Sequence, residues 1–131
     1  MIRGVGVDLC PVSRVARILE RHPGRFEARV FTPGERTYCA SRGAPAQHFA
    51  ARFAAKEAVL KALGVPSGLG WHEVEVTGDG GPPRLALHGA AAAAAAARGV
   101  RRAHLSLSHA GDTAVAFVVL EGEGALPADI P

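Results

Sequence analysis

Apolar positions at the start of the chain alternate with small or polar ones, and Ile2–Leu9 reads as a strand in which Val5 and Val7 alternate with glycines. The period then lengthens. Val12, Val15, Ile18 and Leu19 share one face of a helix predicted over Val12–His22, with Arg14, Arg17, Glu20 and Arg21 outside it. Pro23-Gly24 stops that helix. Thr32-Pro33-Gly34-Glu35 opens the next one, with a capping threonine, proline at the first helical position and glutamate three residues after the cap. The most regular helical pattern runs from about Ala46 to Leu63 and ends on Gly64 at the C′ position.

Beyond the loop Val65–Gly70, Trp71–Thr77 alternates as a strand, with Val74 and Val76 on one face and Glu73 and Glu75 on the other. Gly78-Asp79-Gly80-Gly81-Pro82-Pro83 is a turn, followed by a short strand over Arg84–His88. Ala90–Arg98 is a helix by propensity, closed by Gly99. Two strands, about Ala103–His109 and Thr113–Leu120, are joined by Ala110-Gly111-Asp112. This order predicts an α+β domain over residues 1–121, a small, mainly antiparallel sheet packed with helices. Residues 122–131 are expected to form a disordered tail.

Composition narrows the classes. The 131 residues suffice for one core, and 48 % apolar with 21 % charged residues is ordinary for a globular chain. The N-terminal residues lack the apolar stretch of a signal peptide, and the alanine run at Ala90–Ala97 is too short for a membrane span. Cys10 and Cys39 have no metal-ligand spacing and read as free thiols, which with the foregoing points to a cytoplasmic protein without a membrane partner. A net charge of +3 and a pI near 9.4 suit a phosphorylated small molecule, an acidic protein or a nucleic acid alike. Aromatic content of 5 % is poor for base stacking, so a nucleic-acid-binding module is the weaker choice.

Candidate chemistry lies on the long helix. Phe49, Phe53 and Leu60 define an apolar stripe, and Glu57 falls in its middle. A carboxylate facing the core needs a partner. Arg52 and Lys56 form an i, i+4 pair at one edge of the stripe, and Lys61 lies one turn beyond Glu57. A buried ion pair of Glu57 with Lys61 or Arg52 would satisfy the pattern. So would a metal, if a second carboxylate arrived, and Asp8 near the end of the first strand supplies one. Two carboxylates beside lysine and arginine are a poor set for zinc and a good one for Mg²⁺, which keeps waters and completes its shell with substrate phosphates.

These residues resemble a known family. Gly4-Val5-Gly6-Val7-Asp8 is similar to the GxGxD strand of holo-acyl-carrier-protein synthases. Phe49-Ala50-Ala51-Arg52-Phe53-Ala54-Ala55-Lys56-Glu57-Ala58, followed by Lys61-Ala62-Leu63-Gly64, resembles their signature helix. Arg29-Val30-Phe31-Thr32-Pro33-Gly34-Glu35, Trp71-His72-Glu73-Val74-Glu75-Val76, the glycine-proline turn and Ser106-Leu107-Ser108-His109 follow in order, so the resemblance covers roughly residues 2–120.

The resemblance implies a 4′-phosphopantetheinyl transferase-like fold and an enzyme that moves 4′-phosphopantetheine from coenzyme A to a serine of an apo acyl carrier protein, in fatty-acid or polyketide biosynthesis. Adenosine 3′,5′-bisphosphate is the other product. Asp8 and Glu57 correspond to the family's Mg²⁺ ligands and, with Lys61, to its catalytic group. Arg52, Lys61, Gly64, Pro83 and His109 correspond to coenzyme A contacts. Either a metal-bound water or Glu57 accepts the serine proton. Arg14, Arg17 and Arg21, with Arg25 and Phe26 after them, match the helix that docks the acidic carrier protein. A homotrimer with active sites shared between subunits is expected. Two segments depart from the pattern: Val65-Pro66-Ser67-Gly68 replaces a threonine-glycine loop, and Gly81-Pro82-Pro83 lacks the usual lysine. A different Mg²⁺-dependent enzyme acting on a nucleotide diphosphate is the remaining alternative.

Overall fold

The computed structural model describes residues 1–78 and 80–123; the predicted tail from residue 124 onward lies outside the described residues. The elements are β1 (Ile2–Pro11), α1 (Val12–Arg21), α2 (Arg25–Val30), α3 (Pro33–Ala40), α4 (Pro45–Ala62), a 3₁₀ turn (Trp71–Glu73), β2 (Val74–Thr77), β3 (Arg84–Leu87), α5 (Gly89–Ala97), β4 (Val100–Ala110) and β5 (Thr113–Gly122). The fold is α+β. Its strands form two antiparallel sheets: β1-β5-β4, and the separate hairpin β2-β3.

Three expectations change. Trp71–Glu73 is a 3₁₀ turn, and the strand begins only at Val74, because Glu73 folds back to accept the Gly70 amide at 2.6 Å. From there Val74 and Val76 are buried as the alternation predicts. Arg25–Val30 is a helix that the short, mixed RFEARV pattern does not announce. Gly122 is the last residue of β5 and belongs to the sheet, not to the predicted tail.

Helix α4 lies across β1 and β5, and the sequence makes that contact unusually close. A Cβ on Gly4 or Gly6 would collide with the carbonyl oxygen of Ala62 or Ala58. Two glycines on the strand and a line of alanines on the helix therefore bring the backbones together. Ala54, Ala58, Ala116, Val118 and Leu120 are fully buried between them. On the other face of the sheet the cross-strand pairs Val5↔Val119, Val7↔Phe117 and Leu9↔Val115 stand side by side. Val5, Val7, Leu9 and Phe117 there are 51, 50, 63 and 45 % exposed, a continuous apolar patch.

Helix α1 is capped from a distance. Asp112, in the β4–β5 turn, accepts the Ser13 amide at 2.9 Å and its hydroxyl at 2.5 Å. Helix α3 carries the capping box read from the sequence: Thr32 Oγ1 accepts the Glu35 amide at 3.2 Å, and Glu35 Oε1 accepts the Thr32 amide at 2.9 Å.

Candidate active site

Strand β1 runs on to Pro11, so Asp8 sits inside it rather than at its end. It shares the helix-facing side with Gly4, Gly6 and Cys10 and is half-buried. Lys61 Nζ donates to Asp8 Oδ1 at 2.9 Å and to the Val7 carbonyl oxygen at 3.0 Å. The ion pair that Lys61 makes is thus with Asp8, not with Glu57. Glu57 lies one turn earlier on α4, and its carboxyl is pushed above the usual carboxylate range by burial and by the Asp8 charge, with Lys61 opposing. Two carboxylates that repel each other, beside one lysine, accept a divalent cation well. Among the described residues no group of three or more His, Cys, Asp or Glu side chains is arranged for a metal. A two-carboxylate set suits Mg²⁺, which draws its other ligands from water and phosphate, and does not suit zinc.

Gly64 follows at the end of α4 with φ +79. Its amide donates to the Lys61 carbonyl at 3.1 Å and that of Val65 to Leu60 at 2.7 Å, the two bonds of a Schellman cap. Val65 takes φ +54, a backbone conformation that strains a β-branched residue.

The remaining predicted phosphate contacts gather elsewhere. Arg52, Pro83 and His109 line one cleft of about 220 Å³, together with Tyr38, Gln47 and His48. Arg52 and Glu57 are five residues apart, roughly 140° around the helix, so they leave α4 on different sides. Asp8 belongs to β1 and His109 to β4, the two edges of the sheet with β5 between them. Within a single chain the predicted site residues therefore fall into two groups rather than one ring.

Helix α4 has no single buried stripe, which corrects the helical-wheel picture. Its most buried charges are Lys56, 1 % exposed, and Arg52, 5 % exposed. Lys56 is not at an edge. Its Nζ donates to Glu35 Oε1 at 2.8 Å and to the Trp71 and Val74 carbonyl oxygens. Glu35 Oε2 accepts the Val76 amide at 2.8 Å. Burial pushes the Lys56 ammonium down, and Glu35 holds it up. This pair ties α3, α4 and β2 together and leaves Lys56 no free hydrogen for a phosphate. Arg52 does not pair with Lys56; its guanidinium lies 4.2 Å from the centroid of the Tyr38 ring, and its Nε is buried without a partner among the described residues.

Arg14, Arg17, Arg21 and Arg25 are all exposed, the first three on α1 and the last on α2. Phe26 is half-buried, its ring 5.6 Å from Phe31 and 6.2 Å from Phe53, so it belongs to the core beneath the basic surface. Tyr38, Gln47, His48 and Arg42 are missing from the sequence-based set. No periodic signal marks them, since they meet only where α3, the 41–44 connection and α4 converge on the 78–83 turn.

Comparison with known proteins places the chain in a family. The family model described as the 4′-phosphopantetheinyl transferase superfamily matches residues 4–118. A holo-[acyl-carrier-protein] synthase of Anaeromyxobacter dehalogenans is 53 % identical over 127 residues, covering 95 % of this chain and 99 % of that one. The structure of the corresponding synthase from Neisseria meningitidis superposes with a TM-score of 0.80 at 33 % identity, over 92 % of this chain and 99 % of that one. A structure described as an ACPS–CoA complex from Chronobacterium ammoniagenes superposes with a TM-score of 0.78 at 35 % identity, over 92 and 97 % of the two chains. With its GVGVD strand and its FAAKEA helix held together by Lys61 and Asp8, the chain belongs to the 4′-phosphopantetheinyl transferase superfamily.

Proposed function

We infer that this chain is a holo-[acyl-carrier-protein] synthase, which transfers 4′-phosphopantetheine from coenzyme A to a serine of an apo acyl carrier protein. The observation that carries the reading is the convergence of Asp8, Glu57 and Lys61 at the contact of β1 with α4, in the sequence context of the family. Asp8 and Glu57 would hold Mg²⁺, which when bound neutralises the coenzyme A diphosphate and keeps it in register for attack.

The chain's own residues do the rest. The serine oxygen forms a bond to the phosphorus that bears pantetheine, and the bond from that phosphorus to the bridging oxygen breaks, releasing adenosine 3′,5′-bisphosphate. Lys61, held by Asp8, faces the charge that develops on the leaving phosphate. A water on the cation or Glu57 itself would accept the serine proton. Arg52 and His109 bind further phosphate charge, Pro83 borders the nucleotide, and Gly64 closes α4 beside the Arg98 guanidinium. The exposed arginines 14, 17, 21 and 25 steer the acidic carrier protein, with Phe26 supporting that surface.

Because the metal half-site and the Arg52–His109 half-site lie on different sides of α4, we propose that each active site forms between two copies, in the homotrimer the family resemblance supports. The exposed apolar sheet face gives such an assembly its driving force. The buried free thiols Cys10 and Cys39 suit the cytoplasm, and fatty-acid or polyketide synthesis is the pathway such a product serves.

Mass spectrometry of an apo carrier protein incubated with this chain, coenzyme A and Mg²⁺ tests the reading. The expected result is the mass gain of one phosphopantetheine, dependent on Mg²⁺. No gain with any carrier protein, where a control transferase works, would sink it.

A further inference from the structure

The cleft on the β4 side of α4 holds a basic group for which the reaction has so far no role. His48 lines it beside Gln47, Arg52 and His109. Its ring meets Tyr38 edge-on, with centroids 5.9 Å apart at 83°. Arg42 lies over the same Tyr38 ring, 4.5 Å from its centroid, and its guanidinium reaches the Gly80 turn at the rim. His109 comes from β4, and Gln47 Nε2 meets its ring at 3.1 Å. Three basic side chains, His48, Arg52 and His109, thus line one small volume with Arg42 beside it over Tyr38, and among the described residues no carboxylate lines it. Glu75, from neighbouring β2, is already engaged by the Thr32 hydroxyl at 2.7 Å and by His88.

That crowding has a chemical consequence. Burial and the charges of Arg52, Arg42 and His109 hold the His48 imidazole below its ordinary value. Burial is the largest cause and the three neighbouring charges add to it; an anion entering the cleft offsets those charges. Arg52 lines the same cleft, with its guanidinium against Tyr38 and its Nε buried without a partner among the described residues.

We propose that His48 is a further binding residue of this cleft, whose ring takes up a proton when a phosphomonoester of the coenzyme A nucleotide occupies it. The inference rests on the reading that the nucleotide end lies against Arg52 and His109. It adds that substrate binding draws a proton from solvent, so that nucleotide affinity depends on pH through a residue outside the metal half-site. A phosphate dianion beside an imidazolium gains two attractions at once, to the new charge and to Arg42 and Arg52. A neutral ring contributes only a single hydrogen bond.

An NMR titration of the histidine rings in the full-length protein tests this, with adenosine 3′,5′-bisphosphate as the probe and His48→Gln to identify the resonance. On saturation the His48 midpoint is expected to rise by about one pH unit or more. In His48→Gln, affinity for the bisphosphate should fall about threefold or more at pH 6 and change little at pH 8.5. A His48 midpoint that stays put while other resonances report occupancy would overturn the proposal, as would equal loss of affinity at both pH values. The transferase reading is judged separately, by the mass gain on the carrier protein. If transfer occurs and His48 does not titrate with the probe, only this inference fails; without transfer, the underlying reading fails whatever His48 does.

Discussion

Glu57 carries two opposing demands. It must be ionised to hold a cation, yet burial and Asp8 make its ionised form costly in the cation-free protein. The folded state therefore holds this proton more tightly than the unfolded chain does. The Glu57 contribution to cation-free stability falls as the pH rises from the ordinary carboxylate value through the raised value of Glu57, and stays low above it. Glu57→Gln removes that cost along with the ligand charge. Without divalent cations at pH 7.5, the variant should melt at or above the wild-type temperature, and the difference should vanish near pH 4. Its transfer activity should fall about 100-fold or more. Melting curves at the two pH values and the carrier-protein assay check both parts; a lower melting temperature at pH 7.5 or near-normal turnover would count against the assignment. Lys56, its neighbour in sequence, shows how far a helical wheel reaches. The wheel placed one charge in the core and chose Glu57. In the folded chain Lys56 is the buried one, because its partner Glu35 comes from 21 residues away and belongs to a capping box that looked complete without it.

At the scale of elements, the glycines of β1 decide where Glu57 and Lys61 stand relative to Asp8. They were visible as the GxG of a motif, but their purpose was not, since only the packed structure shows the Ala58 and Ala62 carbonyls filling the space where Cβ atoms would go. Gly6→Ala should therefore push α4 away from β1 and cost about 3 kcal/mol or more, above the usual cost of overpacking because backbone rather than a side chain blocks the site. Gly43→Ala is the control: nothing lies within 4 Å of a Cβ there, and the change should stay within about 0.5 kcal/mol. Urea denaturation measures both, and equal effects would show that the close approach of α4 has no energetic weight. The same packing explains which elements were legible. Helix α1, the capping box of α3, the span and cap of α4, and strands β1, β4 and β5 all follow from local pattern. Helix α2 does not, because six residues give too short a period and its aromatic contact from Phe26 is tertiary. The Trp71–Glu73 turn misleads for a related reason, as alternation continues through it while the Glu73 side chain bends the backbone.

The whole molecule presents a separation that no single residue reveals. The family resemblance puts Arg52, Lys61, Gly64, Pro83 and His109 in one group, whereas the fold sets Lys61 and Gly64 on one side and Arg52, Pro83 and His109 on another. If each site joins the metal half of one subunit to the phosphate half of its neighbour, the halves can be broken in different chains. Glu57→Gln alone and His109→Ala alone should each be nearly inactive. Co-expressed, they form mixed assemblies in which some junctions pair an intact Glu57 with an intact His109. With random mixing, one chain must lack the first defect and its neighbour the second, so about one quarter of the junctions are intact and activity should recover to about a quarter of wild type. A site contained within one chain gives no recovery, whatever the assembly. The apolar sheet face supplies the companion test. Phe117→Glu puts a charge beside Val7 in the middle of that patch without touching either half-site, since the side chain points away from α4. Sedimentation should then show monomers, and transfer should be lost although Asp8, Glu57 and Lys61 are unchanged. Monomers that keep full activity would instead show that the two halves meet within a single chain.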